Sequence, residues 1–134
     1  MDRINRRAGL ALCAGLALAP LAAPALADVK DFEFQLVQTD VKQGDGAIVA
    51  VTLVNRRTRQ PVPNAVIFAK RIDMAPDGMA SMTAPLAELP PEKPGEYRFK
   101  TNLPMEGRWQ LSLGAKVQGE TGSVQSKLVL KVVP

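Results

Sequence analysis

Hydrophobic and polar residues alternate with a period of two along much of the chain after residue 30. The clearest alternation lies over 108–117, where Trp109, Leu111 and Leu113 alternate with polar or small residues. A period of two places successive side chains on opposite faces of a β-strand. The same kind of pattern predicts strands over 32–36, 47–54, 65–74, 96–101 and 124–133.

The alternation also predicts which side chains face the interior. In the strand over 65–74, Val66, Phe68, Ile72 and Met74 share one parity and are predicted to face the core. Trp109 is predicted to be the central aromatic residue. The other predicted core positions include Phe32, Phe34, Tyr97, Phe99, Leu128, Leu130 and Val132.

Prolines interrupt the strand pattern over residues 75–95. Five of them occur in this stretch (Pro76, Pro85, Pro90, Pro91 and Pro94), and proline cannot donate a hydrogen bond to a β-ladder. We therefore predict a long excursion here, with a short edge strand near 86–89. Because no helical period follows the N-terminal segment, the pattern predicts an all-β, immunoglobulin-like two-sheet sandwich of about seven strands.

The N-terminus has the features of a secretory signal. Arg3, Arg6 and Arg7 precede an uncharged, largely apolar run over 8–23, and Ala25-Leu26-Ala27 provides small residues for a signal peptidase. The run is 16 residues long, shorter than the roughly 20 that a spanning helix needs. We expect a signal peptide over 1–27, cleaved after Ala27, that carries away Cys13. The domain over 28–134 is then expected in the periplasm without a membrane span, after general or twin-arginine export.

The composition of residues 28–134 excludes several kinds of chemistry. This part contains no His and no Cys, so disulfides, Ser-His or Cys-His nucleophiles and imidazole or thiolate zinc sites are excluded. With no paired-carboxylate signature either, we expect no enzymatic activity. Its 14 basic and 12 acidic side chains leave a net charge of +2, and no basic block indicates nucleic-acid binding.

The methionines are the candidate ligands. Residues 28–134 contain four of them, Met74, Met79, Met82 and Met105, all predicted at strand ends or in loops. Thioethers are soft, neutral ligands that select Cu(I), and loops at one end of a sandwich would let Met105 approach the segment over 74–82. Methionine also fills gaps in a core or covers an adaptable binding surface. Met74, which shares the parity of Ile72, fits the core as well.

Three segments together resemble a known family: residues 65–82, Pro94-Gly95-Glu96-Tyr97-Arg98-Phe99 and Gly107-Arg108-Trp109-Gln110-Leu111. The chain resembles the YtkA-like and FixH-like domains of bacterial envelope proteins. The resemblance implies an immunoglobulin-like fold and a role in copper handling, beside a heavy-metal efflux system or in oxidase assembly. It also implies that Met74, Met79 and Met82 belong to a methionine-rich loop, with Met105 as a further ligand.

Two hypotheses of function follow. In the first, the protein is a periplasmic accessory that captures Cu(I) through these methionines and hands it to a periplasmic or inner-membrane partner of an efflux or oxidase-assembly system. In the second, it binds no metal and docks on another envelope protein through the loop over 75–95.

Overall fold

The computed structural model describes residues 29–134. The predicted signal peptide, its cleavage site and Cys13 lie outside the described residues. The strands are β1 (Phe32–Leu36), β2 (Asp40–Lys42), β3 (Gly44–Asn55), β4 (Gln60–Pro61), β5 (Val66–Met74), β6 (Met79–Ala84), β7 (Leu86–Leu89), β8 (Glu96–Leu103), β9 (Gly107–Lys116) and β10 (Val124–Val133). Short 3-10 turns occupy Val29–Asp31 and Ala75–Asp77.

The strands form two sheets. The first has the order β1-β3-β8-β7, with β4 paired to β3, and the second has the order β2-β10-β9-β5-β6. Neighbouring strands are antiparallel except β2 and β10, which run parallel. The predicted all-β two-sheet sandwich is confirmed. Within residues 29–134, no helix is long and apolar enough to span a membrane.

The core lies between the sheets and follows the alternation of β9. Trp109, Leu111 and Ala115 are fully buried, and Leu113 is 3% exposed, as the pattern predicted. The Trp109 indole N–H donates to the carbonyl of Met105 at 3.0 Å, so the ring satisfies its one donor while it fills the interior.

The predicted inward orientation of Val66 and Phe68 is wrong. Their side chains are 60% and 55% exposed, whereas Ile72, on the same strand, is fully buried. Between Ile67 and Ala69 the ladder with β9 shifts by one residue, which makes Phe68 the extra residue of a β-bulge. Because one extra residue inverts the parity of a strand, Ile67 packs against the core instead.

Residues 75–95 carry two edge strands. β7 lies where a short strand was predicted and pairs with β8 in the first sheet. β6 was not predicted, and it pairs with β5 in the second sheet. The chain therefore passes from one sheet to the other at Pro85. With β2 and β4, which are three and two residues long, the described residues form ten strands rather than about seven.

Tyr97 fastens the loop before β5 to β8. Its hydroxyl donates to the carbonyl of Val62 at 2.8 Å and accepts from the backbone N–H of Ala65 at 3.0 Å. Its ring meets that of Phe34 edge-on, with the centroids 6.2 Å apart. Burial raises the pKa of the Tyr97 hydroxyl. The residue predicted to face inward is thus half-buried, with its polar end turned to the loop backbone.

Candidate functional site

Met74 and Met79 lie opposite each other where β5 turns into β6. They are Cα partners in the ladder, and the 3-10 turn between them ends at Gly78, whose φ of 79° is left-handed. Side chains of directly opposed residues point to the same face, with Cβ atoms about 4.5–5.5 Å apart. Met74 is 1% exposed, and Met79 is partly buried against the core.

Met82 lies in a bulge of β6. Asp73 pairs with Thr83, whereas the next residue of β5, Met74, pairs with Met79. Residues 80–82 are therefore the surplus, and Met82 stays near the same part of β5. Its side chain is partly buried against the core. Met79 and Met82 thus belong to a strand rather than to the predicted loop.

Arg71 and Asp73 hold this bulge. The Arg71 guanidinium donates to the carbonyl of Ala80 and to Asp73 Oδ2, both at 2.7 Å. Asp73 Oδ1 accepts from the backbone N–H of Ala75 at 2.9 Å. Burial alone would raise the pKa of Asp73, which is 4% exposed, but these hydrogen bonds and the Arg71 charge outweigh it and lower the pKa. The carboxylate is therefore charged and fully engaged at neutral pH.

Asp77 and Arg108 clamp the 3-10 turn to the start of β9. Asp77 accepts from the backbone N–H of Arg108 and from its Nε, each at 2.8 Å. Arg108 Nη2 donates to the carbonyl of Pro76 at 2.7 Å. The backbone hydrogen bond first, and then the guanidinium, lower the pKa of Asp77. Nothing in the sequence signals this contact, because the two residues are 31 positions apart.

Replacing Asp77 with Asn is expected to lower the melting temperature near neutral pH. A carboxyl with a lowered folded-state pKa stabilises the fold above its unfolded-state value, and this contribution disappears as the pH falls through the folded-state pKa. The difference in melting temperature between Asp77→Asn and the unmodified protein should thus close below the ordinary value of 3.8. Thermal unfolding followed by circular dichroism across this pH range measures it. Glu106→Gln, which removes a charge from the same end, is the control, and an equal effect there would contradict the clamp.

Met105 approaches the same end from the loop between β8 and β9. Its side chain is 37% exposed, and Gln43 Nε2 fixes the loop by donating to the carbonyl of Pro104 at 2.8 Å. Gly107, the residue that follows this loop, lies against the β5–β6 turn. A Cβ at Gly107 would lie 2.7 Å from both the Met74 methyl carbon and Asp77 Oδ2. Met74 therefore reaches the backbone only two residues beyond Met105.

The structure thus places Met74 and Met79 opposite each other and brings the Met74 methyl carbon to Gly107, two residues after Met105. Met82 lies farther along β6. These four residues are hereafter the methionine end. Within residues 29–134, no three His, Cys, Asp or Glu side chains group so that they could hold a metal ion.

Comparison with known families identifies the chain. A model of the family described as YtkA-like matches residues 26–114. The chain belongs to the YtkA-like family. The matched range contains all four residues of the methionine end. YtkA-like domains are a non-catalytic fold family.

Solved structures that this chain is similar to include the Lin-41 filamin domain, with a TM-score of 0.45 and 14% identity over 81% of this chain and 95% of that chain. The ZirS C-terminal domain has a TM-score of 0.45 and 12% identity, over 92% of this chain and 87% of that chain. A search of curated proteins finds no match to this YtkA-like chain.

Proposed function

We propose that this YtkA-like protein is a non-catalytic copper-handling accessory of the bacterial envelope that captures Cu(I) at the methionine end and passes it to a partner. One observation carries the proposal: Met74 and Met79 are cross-strand partners, and the Met74 methyl carbon lies 2.7 Å from the Cβ position of Gly107, two residues after Met105. A soft metal requires soft ligands that converge, and residues from three separate parts of the chain supply them here.

The donor set fits Cu(I) as cargo. Thioethers are neutral and soft, so they favour Cu(I) over harder ions. They also withstand an oxidising compartment, where free thiols would form disulfides. Met105 is the exposed member, at 37%, while Met74 is buried at 1%. Met105 would therefore meet the ion first, with Met79 and Met74 completing the coordination and Met82 as a further ligand.

We expect this activity in the periplasm, because the N-terminus has the features of a secretory signal. Since the methionine end has no group for bond chemistry, the mechanism is reversible capture and transfer. The receiving partner would be a component of an efflux or oxidase-assembly system in the periplasm or inner membrane. Exposure of Met105 gives such a partner access to the first thioether.

An anaerobic Cu(I) titration tests the proposal. The protein, produced from its full-length coding sequence, competes for Cu(I) with a chromophoric chelator. We expect one-to-one binding that the double substitution Met79→Leu/Met105→Leu abolishes, because leucine preserves the apolar volume and removes the sulfur. Met82→Leu alone should weaken binding less.

Ser81→Ala is the control, since it alters the same bulge without removing a thioether. It should bind Cu(I) like the unmodified protein. Absence of competition by the unmodified protein would exclude the copper proposal, as would binding that survives loss of both Met79 and Met105.

Metal-free docking through residues 75–95 is the second candidate. The observation that favours it is the orientation of Met74, Met79 and Met82, all of which pack inward, as methionines of a core do. In the same segment Ala80, Ser81, Ala87 and Glu88 are exposed along the edge strands of both sheets. An unpaired edge offers backbone groups to an added strand. If the unmodified protein does not compete for Cu(I) in the titration, metal-free docking is the function that remains.

A further inference from the structure

The outer face of the second sheet carries a groove of about 400 Å³, apart from the methionine end. The residues that shape it lie on β5, β9 and β10: Phe68, Arg71, Ser112, Gly114, Gln125 and Lys127. None of these residues is a proposed copper ligand; Arg71 alone also contacts the β6 bulge beside the methionine end, through its hydrogen bond to the carbonyl of Ala80.

Small residues of the central strand form the floor of the groove. Ser112 pairs with Arg71 on one side and with Lys127 on the other. Gly114 pairs with Ala69 and Gln125 in the next row. Long side chains on the two neighbouring strands, β5 and β10, thus flank a floor of small residues on β9. Neighbouring strands lie about 4.8 Å apart, so β5 and β10 are separated by roughly 10 Å.

Phe68 closes one end of the groove. The bulge in β5 turns its ring outward, and the ring lies over Gly114, with Cζ and Cε1 3.0 and 3.2 Å from an ideal Cβ there. Any side chain at position 114 would displace it. The ring nevertheless remains 55% exposed. A large aromatic surface is therefore presented to solvent above the floor of the groove, where an apolar side chain could pack.

The charge of the groove is of one sign. Its lining contains Lys70, Arg71 and Lys127 and no Asp or Glu. Lys70 pairs with Glu88 at 3.7 Å and Arg71 with Asp73 at 2.7 Å. Among residues 29–134, no carboxylate lies within 4.0 Å of the Lys127 ammonium. The Lys127 charge acts on Asp73 from a distance, where it helps to lower the pKa of that carboxyl. The groove therefore combines an exposed aromatic ring with an ammonium group that makes no direct ion pair and can receive an anionic partner.

We propose that this groove binds an extended, acidic segment of a partner protein with the pattern acidic–any–aromatic. Successive same-face side chains of an extended peptide are about 6.6 Å apart, as are Ser112 and Gly114 on β9. A carboxylate above Ser112 then faces Lys127, while the aromatic side chain two residues on packs against the exposed surface of the Phe68 ring, which itself covers Gly114. This inference does not depend on copper binding, because it uses a different face of the sandwich.

Amide NMR titration with short synthetic peptides tests the proposal on the protein made from its full-length coding sequence. The probe is acetyl-Ser-Glu-Ser-Phe-Ser-amide. Two comparison peptides replace its Glu with Lys or its Phe with Ser. We expect the probe to shift the amides of Ser112, Gly114 and Lys127, and both comparison peptides to bind at least about tenfold more weakly, which corresponds to about 1.4 kcal/mol.

Matched variants locate the binding. Phe68→Ser and Lys127→Glu should each weaken binding of the probe peptide by about tenfold or more. Val129→Ser and Lys131→Glu are the controls, because both residues are exposed on the same strand face outside the groove, and they should leave binding unchanged. Thermal unfolding of each variant shows that the fold is retained.

Three results would overturn the proposal. The first is that the probe leaves the amide signals of the groove residues unshifted. The second is that the Glu and Lys peptides bind with equal affinity. The third is concentration-dependent dimerisation without peptide that Phe68→Ser removes, which would assign the groove to a second copy of this chain.

Discussion

Replacing Trp109 with alanine is expected to lower the free energy of unfolding by about 3–5 kcal/mol. Trp109 is fully buried near the start of β9, and its loss removes both apolar contacts and the volume that supports the two sheets. Domains of this size have a stability of about 5–15 kcal/mol. The alanine variant should therefore be largely unfolded at modest urea concentrations.

Trp109→Phe is the matched variant, since it keeps an aromatic ring and removes the indole N–H. That N–H holds the carbonyl of Met105, so this variant should cost less stability yet loosen the Met105 loop and weaken Cu(I) capture. Urea unfolding followed by far-ultraviolet circular dichroism measures the stability, because the only tryptophan is removed. A loss below about 1 kcal/mol for Trp109→Ala would contradict its central role in the core.

The strands with regular alternation could be predicted from the sequence. β9 keeps one parity from Trp109 to Ala115 without a bulge, so a period of two identifies both the strand and its buried face. β10 follows the same rule, with Leu130 and Val132 each 1% exposed. In such strands local pattern and tertiary burial agree, which is why the two-sheet architecture could be predicted before the structure.

Bulges mark where the prediction fails. Phe68 has the parity of Ile72 in the sequence, but the extra residue in β5 inverts it. β6 was missed because residues 80–82 interrupt its pairing with β5, so no alternation is left to detect. A bulge depends on the partner strand, and a single sequence does not contain that information.

The candidate site was predicted as a set of residues but not as an arrangement. Met74 and Met79 are close along the chain, and a turn between them follows from Gly78. The clamp between Asp77 and Arg108 holds the 3-10 turn against the start of β9, and Arg108 lies three residues after Met105. That contact joins a turn to the first residues of β9, and no pattern in the sequence pairs these two residues.

Gly107→Ala is expected to cost stability and to disrupt the methionine end together. Gly107 has a φ of 138°, a conformation that residues with a Cβ rarely adopt. An alanine Cβ would also lie 2.7 Å from the Met74 methyl carbon and from Asp77 Oδ2. Two effects therefore lower the free energy of unfolding: backbone strain, by about 1–3 kcal/mol, and the steric clash, by about 1–3 kcal/mol.

Gly44→Ala separates the two costs. Gly44 has almost the same φ, 139°, but nothing lies within 4 Å of a Cβ there. Urea unfolding of both variants should therefore show a larger loss for Gly107→Ala, by about the steric cost of 1–3 kcal/mol. Cu(I) competition should show that Gly44→Ala retains capture while Gly107→Ala loses it, because only the second displaces Met74 and the clamp. The contrary result is an equal loss of stability in the two variants, with Cu(I) capture intact in both. It would mean that the Met74 and Asp77 side chains move aside at no cost, and that the contact at Gly107 does not organise the methionine end.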